Sequence, residues 1–234
     1  MASILVVAEV AEGKVKKTTH SAITFAKQVG GSFSILVMGA GAAAAAAELE
    51  GFGAEKLLVT DDASLEKYLA ERYAPTVAAA AKGFSHVVAT ASAFGKDLMP
   101  RVAAKLGAGF VGDITEVLVD GGKASYRRPM FAGNAFGVAT VQTEQAVITV
   151  RQSAFAPAEP SGGKSASEAF ALVKGGEAAG RVEFVGVETT KSERPELTEA
   201  SVVVSGGRAL KEKFNEVLAP LADHLNAALG ASRA

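Results

Sequence analysis

The apolar residues of this chain gather into short continuous runs, and the runs alternate with segments of helical spacing. Residues 3–10, 32–38, 54–60 and 86–91 are the runs, rich in Val, Leu and Ile. Stretches of that length without polar alternation read as strands buried on both faces. Between and after them, residues 18–29, 41–51, 64–82 and 95–106 have apolar positions three and four apart, which predicts helices. Gly30 and Gly31 close the first helix, and Pro75 is expected to break or kink the third. Strands and helices in strict alternation predict a parallel sheet with helices on both faces.

From residue 113 the pattern changes. Residues 113–119, 123–130, 136–143 and 146–152 read as strands joined by turns such as Asp120-Gly121-Gly122, with no room for helices between them. They are expected to be antiparallel and to flank or extend the parallel sheet. Residues 156–163 have the Pro/Gly/Ser composition of a loop. Two further strands are predicted at 169–174 and 182–189. The polar, charged stretch 190–198 contains Pro195 and suits a linker. Beyond it, Val202, Val203 and Val204 form one more buried strand that stops at Ser205-Gly206-Gly207-Arg208. A helix is then expected over 211–229, with Phe214, Val217, Leu218, Leu221, Leu225, Ala228 and Leu229 on one stripe. Pro220 should kink it and Gly230 should end it.

Composition narrows the class. The 234 residues are 49% hydrophobic but only 6% aromatic, so small side chains must build the core. Twenty-four basic and 25 acidic residues are interspersed, for a net charge of −1. No basic excess points to nucleic acid or a membrane surface. Zero cysteines exclude disulfides, thiolate catalysis and Cys-metal sites. The N-terminus enters a strand directly, and no apolar run reaches membrane-spanning length. The expectation is a soluble, cytoplasmic protein with no direct membrane insertion.

Few residues suggest chemistry. Gly39-Ala40-Gly41-Ala42-Ala43-Ala44 follows the second strand and fits a dinucleotide-binding turn, with Asp61 placed as a ribose-binding acid. Such a turn usually follows the first strand of its domain, and a structural turn into a close-packed alanine helix is the competing reading. His20, His86 and His224 have no carboxylate or second histidine at metal-ligand spacing, and no catalytic serine beside them. Ser92 or Asp97 reads as the cap of the fourth helix. Arg127, Arg128 and Arg151 are either interface residues or strand-edge charges paired with Glu116 or Glu144. The strand ending at Ser205–Arg208 could hold a phosphate or simply turn. Ser232 and Arg233, read by position alone, belong to a terminal tail.

A resemblance resolves several of these alternatives. The segment Arg194-Pro195-Glu196-Leu197-Thr198, the Ser205-Gly206-Gly207-Arg208 turn and the ending Gly230-Ala231-Ser232-Arg233 closely resemble the α subunit of electron-transfer flavoprotein. So do Gly95-Lys96-Asp97-Leu98-Met99-Pro100-Arg101, Gly112-Asp113-Ile114-Thr115-Glu116, Arg128-Pro129-Met130-Phe131-Ala132-Gly133-Asn134-Ala135 and Thr149-Val150-Arg151. The resemblance covers the whole chain in order.

It implies an α/β fold: an N-terminal parallel-sheet scaffold domain at 1–190 with flanking antiparallel strands, a linker at 191–199, and a truncated Rossmann-like FAD domain whose first βα unit is 200–234. It also implies an electron carrier without substrate turnover of its own. The carrier pairs with a β subunit and takes electrons from dehydrogenases, typically acyl-CoA dehydrogenases. A quinone oxidoreductase or another acceptor receives them. By the same resemblance, FAD is contacted by Arg208, Ser232 and Arg233. Family members continue past the residues matching Ala231–Ala234, so the chain alone is expected to lack FAD and to leave the last helix's stripe uncovered. Two other readings stay open: an adenine-nucleotide-binding module using the Gly39–Ala44 turn, and a structural subunit without cofactor.

Overall fold

Ser3–Val7 (β1) opens a seven-stranded sheet, and its side chains from Ile4 onward are buried on both faces. In this computed structural model, residues 2–188 and 193–232 are described. The chain forms two compact units, Met1–Phe184 and Val185–Ala234.

In the first unit β1 is followed by a hairpin of two-residue strands, Val10–Ala11 (β2) and Lys14–Val15 (β3), so the strand predicted over 3–10 is divided. Glu12 and Gly13, at φ 53° and 72°, form its turn. Paired left-handed residues suit a tight hairpin, and strands this short leave no periodic signal in the sequence. Then come Thr19–Val29 (α1), Ser32–Gly39 (β4), Ala42–Ala47 (α2) and Lys56–Asp61 (β5).

The predicted helix at 64–82 is a 3-10 turn at Ala63–Leu65 and a separate helix Ala70–Ala80 (α3). Pro75 lies inside α3, so the break falls before the helix and not at the proline. Asp62 causes it by accepting the Ser64 amide at 2.8 Å and starting its own turn.

His86–Thr90 (β6) and Ala93–Leu106 (α4) complete the alternating part. The Ser92 hydroxyl caps α4 by accepting the Gly95 amide at 3.2 Å. Gly95 is required here, because a Cβ would run into the Thr90 carbonyl oxygen.

Gly109–Ile114 (β7) is a strand of the main sheet. Glu116–Asp120 (β8), Lys123–Met130 (β9) and Ala135–Thr140 (β10) make a separate antiparallel sheet. Ala146–Val150 (β11), expected to be antiparallel, is parallel and inserted between β6 and β7. The sequence expectation assumed that a parallel strand needs a helical crossover. Here the three-stranded sheet itself provides the crossover.

The last strand of the unit is Ala166–Ala169 (β12), parallel to β5, so the strand predicted at 169–174 lies upstream of its expected place. Of the strand predicted at 182–189, residues 182–188 are described and contain no strand. Their valines have nothing to pack on, Val185 being 97% exposed.

The all-parallel sheet thus has the order β12-β5-β4-β1-β6-β11-β7. Ile23, Phe25, Leu49, Tyr126 and Phe155 cover one face, and Leu65, Tyr73, Val77, Leu98 and Met99 cover the other.

The second unit is a single parallel β–helix–β element. Val203–Gly206 (β13) leads through a 3-10 segment, Arg208–Lys213, into Phe214–His224 (α5) and then Ala228–Ala231 (β14). The helix predicted at 211–229 is therefore shorter at both ends. Ala228, Leu229 and Gly230 lie in a strand paired with Val203, Val204 and Ser205. Asn226, at φ 48°, turns the chain out of the helix, a conformation that asparagine tolerates well. Pro220 is accommodated within α5. Of the predicted stripe, Val217 and Leu221 are each 50% exposed and Leu225 45%. Arg194 from the charged segment pairs with Asp223 on α5 at 2.5 Å.

Candidate functional site

The two strands of the second unit run parallel and end together. Gly206 pairs with Ala231, so Gly207 and Arg208 leave one strand where Ser232 leaves its neighbour. The carboxyl edge of parallel strands is where open α/β sheets bind ligands, because the strand-to-helix turns leave a crevice there. A cavity of about 350 Å³ occupies this edge, lined by Gly206, Gly207, Arg208, Lys211, Phe214, Ala231 and Ser232. Two of the three sequence-predicted site residues, Arg208 and Ser232, are thereby brought together. The third, Arg233, lies outside the described residues.

The local sequence explains the opening. A Cβ on Gly206 would sit 2.7 Å from Leu218 Cδ1 and 3.3 Å from Phe214 Cε2, so glycine lets the helical segment close over the strand. At Gly207 a Cβ would meet nothing within 4 Å. That side faces the open cavity.

Two lining residues escaped the sequence reading. Phe214 was assigned only to the helix stripe. The sequence pattern starts the helix at Lys211, whereas Lys211 forms a kink with φ 44° and ψ −128°. Backbone of this kind belongs to glycine, and a side chain there costs ~1–3 kcal/mol unless the surroundings hold it. No sequence pattern announces a lysine in that conformation.

The first unit presents a similar turn that is closed. Gly41 (φ 79°) precedes α2, as the dinucleotide reading requires. However, Asp61 does not point toward a ribose position. Its two carboxylate oxygens accept the Gly41 and Ala43 amides at 2.9 and 3.0 Å. An anionic side chain thus occupies the place a phosphate would take, and a phosphate would meet it as a like charge.

A cavity of about 450 Å³ beside Asp61 and Asp62 has those carboxylates already committed to backbone amides. Another, of about 460 Å³, is lined by Ser85, His86, Tyr126 and Thr140 among others. Its central groups are also committed. Ser85 Oγ donates to the Ser3 carbonyl at 3.0 Å, so toward His86 Nδ1, 2.9 Å away, it can only accept. His86 therefore carries its proton on Nδ1 and accepts at Nε2 from the Tyr126 hydroxyl at 2.9 Å. Burial lowers the His86 pKa and pushes the Tyr126 phenol up to about 12, which keeps both groups neutral. In these two larger cavities Asp61, Asp62, Ser85, His86 and Tyr126 are thus hydrogen-bonded within the fold. The smaller one in the second unit is lined by cationic side chains.

Several of the other residues weighed from the sequence make contacts within the fold. His20 packs at a 47° tilt against Phe52 with ring centroids 4.7 Å apart, and burial lowers its pKa. His224 ends α5. Arg127 pairs with Glu116 at 3.4 Å and lies over the Phe136 ring. Arg151 grips Asp113 with two bonds of 3.1 and 2.6 Å, holding that carboxyl below its ordinary pKa. Among the described residues no cluster of His, Cys, Asp or Glu could hold a metal ion, and no helix is long and apolar enough to cross a membrane.

Comparison with known proteins bears on both units. Residues 4–172 match the electron transfer flavoprotein domain, and residues 196–234 match the electron transfer flavoprotein FAD-binding domain. Electron transfer flavoprotein subunit alpha of Pseudomonas aeruginosa is 43% identical, the alignment covering 99% of this chain and 74% of that protein.

The chain belongs to the electron-transfer flavoprotein α-subunit family.

The probable electron transfer flavoprotein subunit alpha, mitochondrial, of Caenorhabditis elegans is 41% identical over 99% of this chain and 69% of its own length, and electron transfer flavoprotein subunit alpha of Paracoccus denitrificans is 36% identical over 99% and 74%. In this α-subunit chain only a short part of the FAD-binding domain is matched, and that part is the β13–α5–β14 element carrying the cavity.

Proposed function

We propose that the chain serves as the α subunit of an electron-transfer flavoprotein, and that the cavity at the carboxyl edge of β13 and β14 is one wall of its FAD site. The observation that carries this reading is the convergence of Arg208 and Ser232 on a single cavity at a parallel strand edge. The donor set fits the cofactor. Cations and a hydroxyl suit its anionic and polar groups, and the Phe214 ring gives the cavity an apolar wall. The volume lies at the small end of the roughly 300–1,000 Å³ usual for ligand clefts, enough for part of a dinucleotide.

Bound FAD supplies the ability to accept and release electrons. The chain's residues bind and orient it. Arg208 offers a planar guanidinium with several donors, suited to an anionic oxygen or to stacking on a ring. Ser232 adds a hydroxyl that donates or accepts. Arg233, which lies outside the described residues, is the third proposed FAD contact. A positive site favours the reduced, more negative cofactor, as a carrier needs. In this reading the chain's part in the chemistry is to hold the redox group.

The first unit acts as the scaffold, with residues 191–199 as the linker. It would pair with the family's β subunit through the antiparallel sheet. There Leu118, Val119, Phe131, Phe136 and Val138 are between 42% and 77% exposed, an apolar concentration that marks an interaction surface. Acyl-CoA dehydrogenases are the proposed electron donors and a quinone oxidoreductase the proposed acceptor. The nucleotide-module reading is not favoured, because Asp61 occupies the turn it needs.

The test is visible absorbance. The chain assembled with a β subunit and incubated with FAD, then passed over a sizing column, should carry flavin bands. A colourless complex would end the electron-carrier reading.

A further inference from the structure

We infer that Lys211 is a cofactor-binding residue of this site and that it holds the phosphate end of the dinucleotide. The inference rests on the proposed FAD site and adds a contact that the sequence did not indicate. Lys211 lines the same cavity as Arg208 and Ser232. Its backbone, at φ 44° and ψ −128°, is the first central conformation of a type II′ turn, which glycine fills without strain. The chain therefore keeps a strained, flexible cation where a glycine would fold more easily. Residues held in this way cluster at ligand sites.

The two cations divide the work by shape. Arg208 has the planar group that stacks or forks, whereas Lys211 has a compact point charge on a long stem, a form that suits phosphate oxygens. Lys211 also begins no regular helix of its own. It sits in the kink between the 3-10 segment and α5, and this lets its side chain line the cavity while Phe214, three residues on, starts the helix.

The experiment compares Lys211→Ala, Lys211→Arg and Lys211→Gly in the chain assembled with a β subunit, titrated separately with FAD and with riboflavin. Thermal unfolding of the same chains is followed in the absence of ligand. Lys211→Ala should weaken FAD about tenfold and leave riboflavin unchanged, since riboflavin lacks the phosphates. Lys211→Arg should keep FAD binding within about threefold of the wild type, by keeping the charge. Lys211→Gly should raise Tm, by about 1–3 °C, while weakening FAD as much as Lys211→Ala does. A gain in stability with a loss of affinity is a result that a purely structural lysine does not give.

Unchanged FAD affinity in Lys211→Ala, an equal loss of riboflavin, or a lower Tm for Lys211→Gly would each overturn the inference. If Arg208→Ala loses FAD and Lys211→Ala does not, only the role of Lys211 falls. If the wild-type complex takes up no FAD, the proposed site falls and this contact with it.

Discussion

The chain contains two glycine turns at the ends of parallel strands, and they have opposite fates. In the first unit the turn after β4 leads into α2, and Asp61 fills the amide cradle with its own carboxylate. In the second unit the turn after β13 leads into a cavity lined by Arg208 and Lys211. The surroundings differ accordingly. β4 is buried along nearly its whole length in a seven-stranded sheet, while β13 has one strand neighbour and an exposed Val203. A Gly-rich turn is thus a geometric permission, and the charge placed beside it decides whether an anion is admitted.

The largest effect that would sharpen this contrast is at Arg208. Arg208→Ala should weaken FAD about 100-fold, near 2.7 kcal/mol, in fluorescence titration of the β-subunit complex. AMP, ATP and NAD should show no saturable binding to the intact first unit by calorimetry. Saturable nucleotide binding to the wild-type unit would break the comparison, whereas binding gained only in Asp61→Asn would support it.

Packing provides the next contrast. Gly95→Ala should destabilise the first unit by about 1–3 kcal/mol, because its Cβ meets the Thr90 carbonyl. Gly207→Ala, with open space around it, should stay within about 0.5 kcal/mol. Urea unfolding of both variants checks the pair. Equal costs would mean that the second unit's edge is filled.

Asp61→Ala should cost about 1 kcal/mol, the usual value of a lost helix cap. The same unfolding assay measures it.

The smallest effect is a pH dependence from His86 and His20, whose pKa values burial lowers in the folded chain. The unfolded chain then binds protons that the folded chain refuses. Stability is fully present above the ordinary histidine pKa of about 6.5 and declines as pH falls through it toward the lower folded values. His86→Phe should make the urea midpoint less sensitive to pH between 7.5 and 5.5. An unchanged pH slope would contradict the neutral Ser85–His86–Tyr126 chain.

How far the sequence made this legible follows the burial. Strands β1, β4, β5 and β6 are covered on both faces, so their apolar runs were continuous and plain. The parallel placement of β11 was not, because its crossover is made of strands and mimics an antiparallel meander. β14 was hidden because Leu225, Ala228 and Leu229 continue the helical spacing past the point where Asn226 turns the chain. For the site, Arg208 and Ser232 came from resemblance to a family, while spacing alone left the first as turn or cradle and the second as tail. The missing physical link was the pairing of Gly206 with Ala231, which no local pattern encodes. Lys211 had no signal at all, since a lysine in left-handed backbone looks like any other lysine.

The central claim is that the flavin is held at the second unit's strand edge and not at the first unit's glycine turn. Hydrogen exchange of the β-subunit complex, with and without FAD, tests it most directly. FAD should slow amide exchange at residues 205–214 and 228–232 and leave 39–44 unchanged. Protection at 39–44 with none at the second edge would contradict it.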